Sequence, residues 1–566
     1  MTKSPLFLAT ALLALLLGVP ASSARSSAPS QSLTYAYVPF QQLDPQRVSD
    51  GKDIAGQDLL EGLVTPNAAG TGVLPATADS WTVSPDATVY TFHIRKSARW
   101  SDGTPVTADD FEWSYKRLLT PSTAAIDKLN GSSSYPSDLG IRNAIAYQLG
   151  QVTDWSKVGV KALDASRLRI TLDAPNASFL LEMALPAMVA LPEKNVTDFP
   201  FDWQTTAHWV GNGPFVIQSW TPNSDMVLVP NPDYWDRGSV HLDRLTIATS
   251  VSSDDVARSQ YDSGTLDVAH VSGPQAFAND PATAGALRSL HNYSIVFFGL
   301  IPSRNRAIAD VRVRQAIALA IDRQATTKAI PGILSPATSL VPSTLPGYDR
   351  SVAISGGVAD ARRLLAAAGY PGGKGFPTLT VMTSHDDPIV AAALRSLRRN
   401  LGIRAVQDIE PDSVRDAKEH EVQPKSFAGF FATGYAGILS WRPWVSDYYP
   451  PSQAELLSLT PDDYIHYQVL QAKGTAQALA TATAFLEAHA SPETRRFAAL
   501  AAEADSTADP ARAIALYKRA AAIRQATYEF IPLVYGDLDY LIRPGINGIH
   551  LWPGFFTISF KGVSVG

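Results

Sequence analysis

Strand-like and helix-like patterns follow one another along the whole of a 566-residue chain, and that spread limits the fold more than any single motif does. Residues 89–94 (Val-Tyr-Thr-Phe-His-Ile) alternate apolar and polar, the period of a half-buried strand. Residues 33–38 and 168–172 read the same way, and residues 215–220 leave the turn Gly211-Asn212-Gly213-Pro214 as a further strand. Residues 311–321 carry apolar positions at Val313, Ala316, Ile317 and Ala320, a helical spacing. Residues 359–368 read as a helix stopped by Gly369, and residues 389–401 as one stopped by Gly402. After Gly402 the run through Ile403, Ala405 and Gln407 is extended, so helix, glycine and strand form an α/β unit. An Ala-rich, mostly helical stretch covers residues 472–524, and a strand returns at 531–535. The class is therefore α/β. Because compact domains run ~100–200 residues, two or three lobes are expected. No internal repeat is evident.

Composition removes several kinds of chemistry. The chain has no cysteine, which excludes disulfides, thiolate zinc sites, iron–sulfur clusters and cysteine nucleophiles. A net charge of −6 speaks against a nucleic-acid partner. Hydrophobic residues at 45% and charged residues at 18% suit a globular chain. Neither a Gly-x-Ser-x-Gly elbow nor a His-Glu-x-x-His zinc helix is present. Gly373-Lys374 resembles the end of a phosphate loop, but Ala368 and Gly375 occupy the positions that need Gly and Ser or Thr. The ten histidines are scattered. Asp109-Asp110 and Asp254-Asp255 stand at expected helix starts, where carboxylates favour the positive end of the dipole. Asn130 and Asn195 fall in glycan sequons, a pattern common by chance. No metal site and no cofactor are expected.

Lys3, the apolar run 6–19 and the small residues Ala21 to Ala24 have the form of a secretory signal cut after Ala24, or secondarily after Ala21, with an uncleaved membrane anchor as the competing reading. The run spans 14 residues, short of the ~20 that cross a bilayer. Residues 1–24 are thus expected to be a signal peptide and 25–32 a Ser/Pro-rich tether. Without a cysteine after the cut, the exported protein would not be a lipoprotein. It is expected in the periplasm or outside the cell.

Several dense motifs follow in a fixed order. Leu43-Asp44-Pro45 precedes Asp58-Leu59-Leu60-Glu61-Gly62-Leu63, and Tyr90 to Lys96 precedes Trp100-Ser101-Asp102-Gly103-Thr104-Pro105-Val106-Thr107-Ala108-Asp109-Asp110-Phe111. Val160-Lys161-Ala162-Leu163-Asp164, Gly211-Asn212-Gly213-Pro214-Phe215 and Asn231-Pro232-Asp233-Tyr234-Trp235 come next. Asp310-Val311-Arg312-Val313-Arg314-Gln315-Ala316 and Ala320-Ile321-Asp322-Arg323 complete the series. Together they resemble the large solute-binding proteins of ABC importers, the oligopeptide- and dipeptide-binding group. Each motif also has a scaffold reading. Asp102-Gly103 makes a turn, Thr107 with Asp110 caps a helix, and Asp322-Arg323 closes a helix end.

The resemblance implies a three-lobed periplasmic-binding-protein fold of type II, in its large cluster, with a ligand cleft between two discontinuous lobes joined by a hinge. Lobe I would comprise residues 33–60, 190–295 and 535–566, lobe II residues 61–189 and lobe III residues 296–534. It implies hinge closure on a peptide, with delivery to a membrane permease and its ATPase subunits, and no catalytic group. The run from Trp441 to Pro451 resembles the family's W-x-x-D-Y-x-x-P segment. By that match Asp447 meets the ligand's α-amino group, and Trp444, Val445 and Ser446 run along its backbone. Trp113, Tyr293, Ile295, Phe298 and Tyr535 match lining positions, Ser49 and Asp50 the opposite wall, and Arg442 is a candidate for a ligand carboxylate. A core role competes at each aromatic position, a turn-capping role at Asp447 and a solvated one at Arg442. A monomer is expected. The alternatives are a non-peptide solute (a nickel complex, haem, an oligosaccharide or an opine), a sensor co-receptor, and a secreted hydrolase.

Overall fold

In the computed structural model, the structure describes residues 31–566 apart from 48–53, 121–138, 273, 302–305, 331–333, 384, 412–428, 436–440, 448–462, 464–465, 468–480, 483, 486–487 and 553–557. The signal and almost all of the tether lie outside the described residues, as does Asn130. No helix among the described residues is long and apolar enough to cross a membrane.

One mixed sheet of eleven strands runs through most of the molecule. Its order is Ala405–Ile409, Leu379–Thr383, Gly429–Tyr435, Leu287–Leu300, Phe530–Ile542, Val268–Val271, Ser32–Ala36, Arg244–Ala248, Met226–Pro230 and Phe215–Ser219, with Leu334–Pro336 paired on Phe530–Ile542. Two strands are much longer than the rest: Leu287–Leu300 with 14 residues and Phe530–Ile542 with 13. They run antiparallel, and each belongs to both halves of the sheet. Their pairing shifts register between Leu290 and Ser294, where the ladder is locally broken. Ser294 faces Gly536 there, and a Cβ at Gly536 would lie 2.4 Å from the Ser294 hydroxyl oxygen. A side chain at that position would require the Ser294 hydroxyl to move.

A second sheet of four antiparallel strands, ordered Ala78–Val83, Val89–Ile94, Arg167–Thr171 and Val160–Asp164, forms a separate unit. The alternation of residues 89–94 puts Tyr90, Phe92 and Ile94 inside. The helix Ala108–Leu119 covers this sheet. It begins where the Thr107 amide and hydroxyl both donate to Asp110 Oδ2, at 2.7 and 2.8 Å.

The apolar core falls into distinct clusters. One is built from residues 60–203 with Trp552. A second joins residues 33–59, 215–247 and the C-terminal strand region. Two more lie on opposite faces of the long strands: Ile295 and Phe297 on one face, Val296, Phe298 and Leu300 on the other. Leu191, Val196 and Trp203 pack with residues 60–189, although the sequence reading placed them in the first lobe.

The helix Pro388–Leu401 shows how local signals serve this packing. Asp387 accepts from the amides of Ile389 and Val390 at 2.7 and 3.1 Å, a proline takes the first turn, and Gly402 ends it with φ = 71°. Its buried stripe Ile389, Val390, Ala393, Leu397 and Leu401 faces the sheet. Asp322, expected to close a helix, instead opens the short helix Arg323–Thr327 by accepting from the Ala325 amide at 3.0 Å. The preceding helix Val311–Ala320 already ends one residue earlier at Ile321, so the carboxylate serves the donors that follow.

Candidate ligand cleft

The signature motifs turn out to hold the scaffold. Ser101 and Gly211 exchange hydrogen bonds, amide to carbonyl at 2.8 Å and amide to hydroxyl at 3.2 Å. Asn212 brackets Glu61 by accepting from its amide at 2.9 Å and donating to its carbonyl at 3.0 Å. Glu61 also accepts from the Tyr234 hydroxyl and, at 2.7 Å, from the Trp235 indole. Arg314 donates to the carbonyls of Ile308, Ala309 and Thr527, and Arg323 to those of Ala318, Ala337 and Pro532. These are helix and strand ends that need donors.

The segment Trp441 to Ser446 is seated among large side chains on one face of the long strands. Trp441, Trp444 and Val445 are buried with Ile295, Phe297, Phe497, Tyr517 and Tyr535. The Trp441 indole donates to the Pro346 carbonyl at 2.7 Å. Tyr535 lies opposite Ile295 in the strand register, and its hydroxyl donates to the carbonyls of Ser339 and Val341 at 2.7 and 3.0 Å. Burial pushes its phenol up, so it is a neutral donor. Ser446 donates from its hydroxyl to Asp505 Oδ1 at 2.9 Å, and the Tyr517 hydroxyl donates to the same oxygen at 2.6 Å. Burial pushes the Asp505 carboxyl up, against these hydrogen bonds and the Arg442 charge. Arg442 Nη1 stands 3.2 and 3.4 Å from the two oxygens of Glu182, and its Nε stands 3.6 Å from Asp505 Oδ1.

Ile295, Tyr535, Trp444, Val445, Ser446 and Arg442 are thus brought together. Phe298 is turned away, because strand alternation sends it to the opposite face, against Val313, Ile317 and Val390. Trp113 is half-buried and packs against the core of residues 60–203. Ser49 and Asp50 lie outside the described residues, and so do the side chains of Tyr293 and Asp447.

One cleft borders this region, and another lies elsewhere on the sheet. The first, of about 280 Å³, lies between the two units and is lined by Val73, Leu180, Leu181, Trp441, Ile514 and Tyr517. The second, of about 310 Å³, opens at the carboxyl ends of the parallel strands Ser32–Ala36 and Val268–Val271, the place where open α/β sheets take ligands. Tyr37, Asp254, His270, Ser272 and Tyr540 line it. His270, exposed on its strand, meets the Tyr540 ring edge-on at 5.9 Å. The sequence carried no motif for His270, Glu182 or Asp505. Asp254 was legible as a helix start, and it does open the helix Asp254–Asp262. Its carboxylate also accepts from the Ser272 amide at 3.0 Å.

A sheet whose two halves share two long strands, with a cleft at strand ends and another against the unit of residues 60–203, defines the class: proteins that take up a solute between lobes. Residues 72–453 match the family model of bacterial extracellular solute-binding proteins, family 5, and the chain belongs to that family. The chain is 31% identical over 410 residues to the periplasmic murein peptide-binding protein MppA of Escherichia coli, covering 70% of this chain and 71% of that one. It is 28% identical over 529 residues to the periplasmic oligopeptide-binding protein OppA of the same species, covering 90% and 87%. It is also 27% identical over 526 residues to the E. coli protein named "Probable deoxycholate-binding periplasmic protein YgiS", covering 90% and 88%. Among solved structures, the unliganded open form of the murein tripeptide-binding protein MppA matches with a TM-score of 0.72 at 23% identity, covering 95% of this chain and 98% of that one. The fold class is that of the family.

Proposed function

We propose that this chain is the peptide-capturing component of an ABC importer, exported through a cleaved signal and working outside the cytoplasmic membrane as a monomer beside a permease and its ATPases. The observation that carries the reading is the seating of residues 441–446. A Trp-x-x-Trp-Val-Ser segment leading to Asp447 is buried against Ile295 and Tyr535 on the strands that cross between the sheet halves. A segment there borders any ligand enclosed when the halves approach, and an extended peptide can pair with its backbone as an added strand. Asp447 then receives the ligand's amino group. The relatives named for murein peptides and oligopeptides support this choice of solute. In this reading the protein binds and releases its solute without transforming it.

The relative named for deoxycholate supports a second reading, an amphipathic acid, for which the apolar walls Leu180, Leu181, Trp441 and Ile514 offer a surface. Native mass spectrometry of protein purified from its own periplasm separates the two. Peptide masses that vary in sequence support the first reading, and a single sterol-like acid would replace it with the second.

A further inference from the structure

We infer that Arg442 is a positioning residue, which ties the ligand-bordering segment to Glu182 of the unit built from residues 60–203, and does not itself meet a ligand carboxylate. The inference rests on the peptide reading for the role of residues 444–447, and on geometry for the rest. Glu182 ends the short helix Phe179–Glu182, whose Phe179 and neighbouring Met183 belong to the core of residues 60–203. Its carboxylate is nearly buried and accepts from the Asn176 side-chain amide at 2.8 Å. Arg442 reaches it from the other unit with both Glu182 oxygens within 3.4 Å. The same guanidinium faces Asp505, and Asp505 holds the Ser446 hydroxyl at 2.9 Å. A continuous chain of charge and hydrogen bonding therefore runs from Glu182 through Arg442 and Asp505 to Ser446.

Two features give this chain a job beyond stability. It crosses between units, so any change in how they sit alters the distance between Glu182 and Arg442. It also ends on the residue beside Asp447, so that change is passed to the segment that borders the ligand. The cleft of about 280 Å³ beside it leaves room for the units to shift. The side chain of Arg442 is only 14% exposed and is engaged by two carboxylates, which makes it a poor receptor for a third. A buried pair that loses one partner leaves the other uncompensated, so separation of the units is opposed until something replaces the contact.

The test uses trialanine and its C-terminal amide as probes, on full-length exported protein. Glu182→Gln keeps the shape and an acceptor for Asn176, so it changes charge with little risk to folding. Glu182→Gln and Arg442→Gln should each weaken both probes by about 10-fold, the range of a typical coupling between sites, through faster dissociation. The double variant should bind about as well as the weaker single, and Arg442→Lys should restore part of the loss. A loss much larger for the free acid than for the amide would make Arg442 a ligand contact and overturn the inference. Unchanged affinities, or losses that multiply in the double variant, would overturn it too. If the wild type binds neither probe, the peptide reading fails while the inference remains open to scattering from ligand-free protein. There both single variants should have a larger radius of gyration than the wild type, and superimposable profiles would overturn it.

Discussion

Among the described residues, two of the charged joints between the unit of residues 60–203 and the rest of the molecule are built to different standards. At the first, Asp44 is fully buried and Arg117 grips it at 2.5 Å while donating to Gln46 at 2.7 Å. Gln46 in turn donates to the Ser114 carbonyl at 2.9 Å. Nearby, the backbones of Leu59 and Gly213 approach so closely that a Cβ on Gly213 would lie 2.5 Å from the Leu59 carbonyl carbon. At the second joint Arg442 holds Glu182 and Asp505 at 3.2 to 3.6 Å, with open volume beside it. The first joint is shorter and its carboxylate is fully buried, and the second is longer and bordered by space. A molecule that must keep one connection and vary another would be made this way, because a filled interior has few alternative arrangements.

The largest test of this contrast is Arg117→Met. It leaves the buried Asp44 carboxylate with only the looser Arg47 guanidinium at 3.8 Å and the Gln46 amide at 3.1 Å. Losing one partner of a buried pair typically costs ~3–5 kcal/mol, and urea unfolding should show a loss approaching that size. If Arg117→Met costs no more stability than Arg442→Met, the two joints are of one kind.

The difference between the joints also explains what could be read in advance. Of the first joint, Asp44 lies inside a motif that stands out in the sequence, while Gln46, Ser114 and Arg117 lie in none. The backbone contacts of Leu59, Ser101 and Gly211-Asn212-Gly213 also fall inside motifs. Each motif satisfies a local demand: a turn, a cap, or a glycine where backbones touch. Residues 89–94, 311–321 and 389–401 were legible for the same reason, since period and caps are local. The second joint unites Glu182, Arg442 and Asp505, which are far apart in sequence and of ordinary type. Their meeting depends on how two units sit, which no local pattern encodes. Phe298 shows the limit differently. No strand was read over residues 287–300, and only the pairing register shows that Phe298 faces away from Ile295. Asp322 was misread because a carboxylate between two helices fits the end of one as well as the start of the next.

A pH titration sharpens the contrast next. Asp58, fully buried just before the unit of residues 60–203, accepts from the Phe560 amide at 3.1 Å and is pushed up to about 7 by burial. An acid whose folded pKa lies above its unfolded value contributes its stability while protonated and loses it as pH rises. Stability should therefore fall between about pH 4 and pH 7 by a few kcal/mol from this group. Asp58→Asn should flatten that part of the profile, and a wild-type profile that rises through the same window would contradict the assignment. The smallest effect concerns the helix Ala108–Leu119. Thr107→Ala removes the hydroxyl that donates to Asp110 and should cost about 1 kcal/mol in denaturant unfolding, with peptide affinity unchanged.

The central claim is that the segment ending at Asp447 receives the amino end of a peptide. Calorimetry on four combinations tests it most directly: wild type and Asp447→Asn, each with a free and an N-acetylated peptide. A carboxylate that pairs with an ammonium in a closed cleft should lose ~100-fold or more in affinity for the free peptide on substitution, at ~1.4 kcal/mol per decade. The acetylated peptide should bind the wild type poorly and be little affected by the substitution. If Asp447→Asn changes both peptides equally, or neither, Asp447 is a turn residue and the account of the ligand's amino end is wrong.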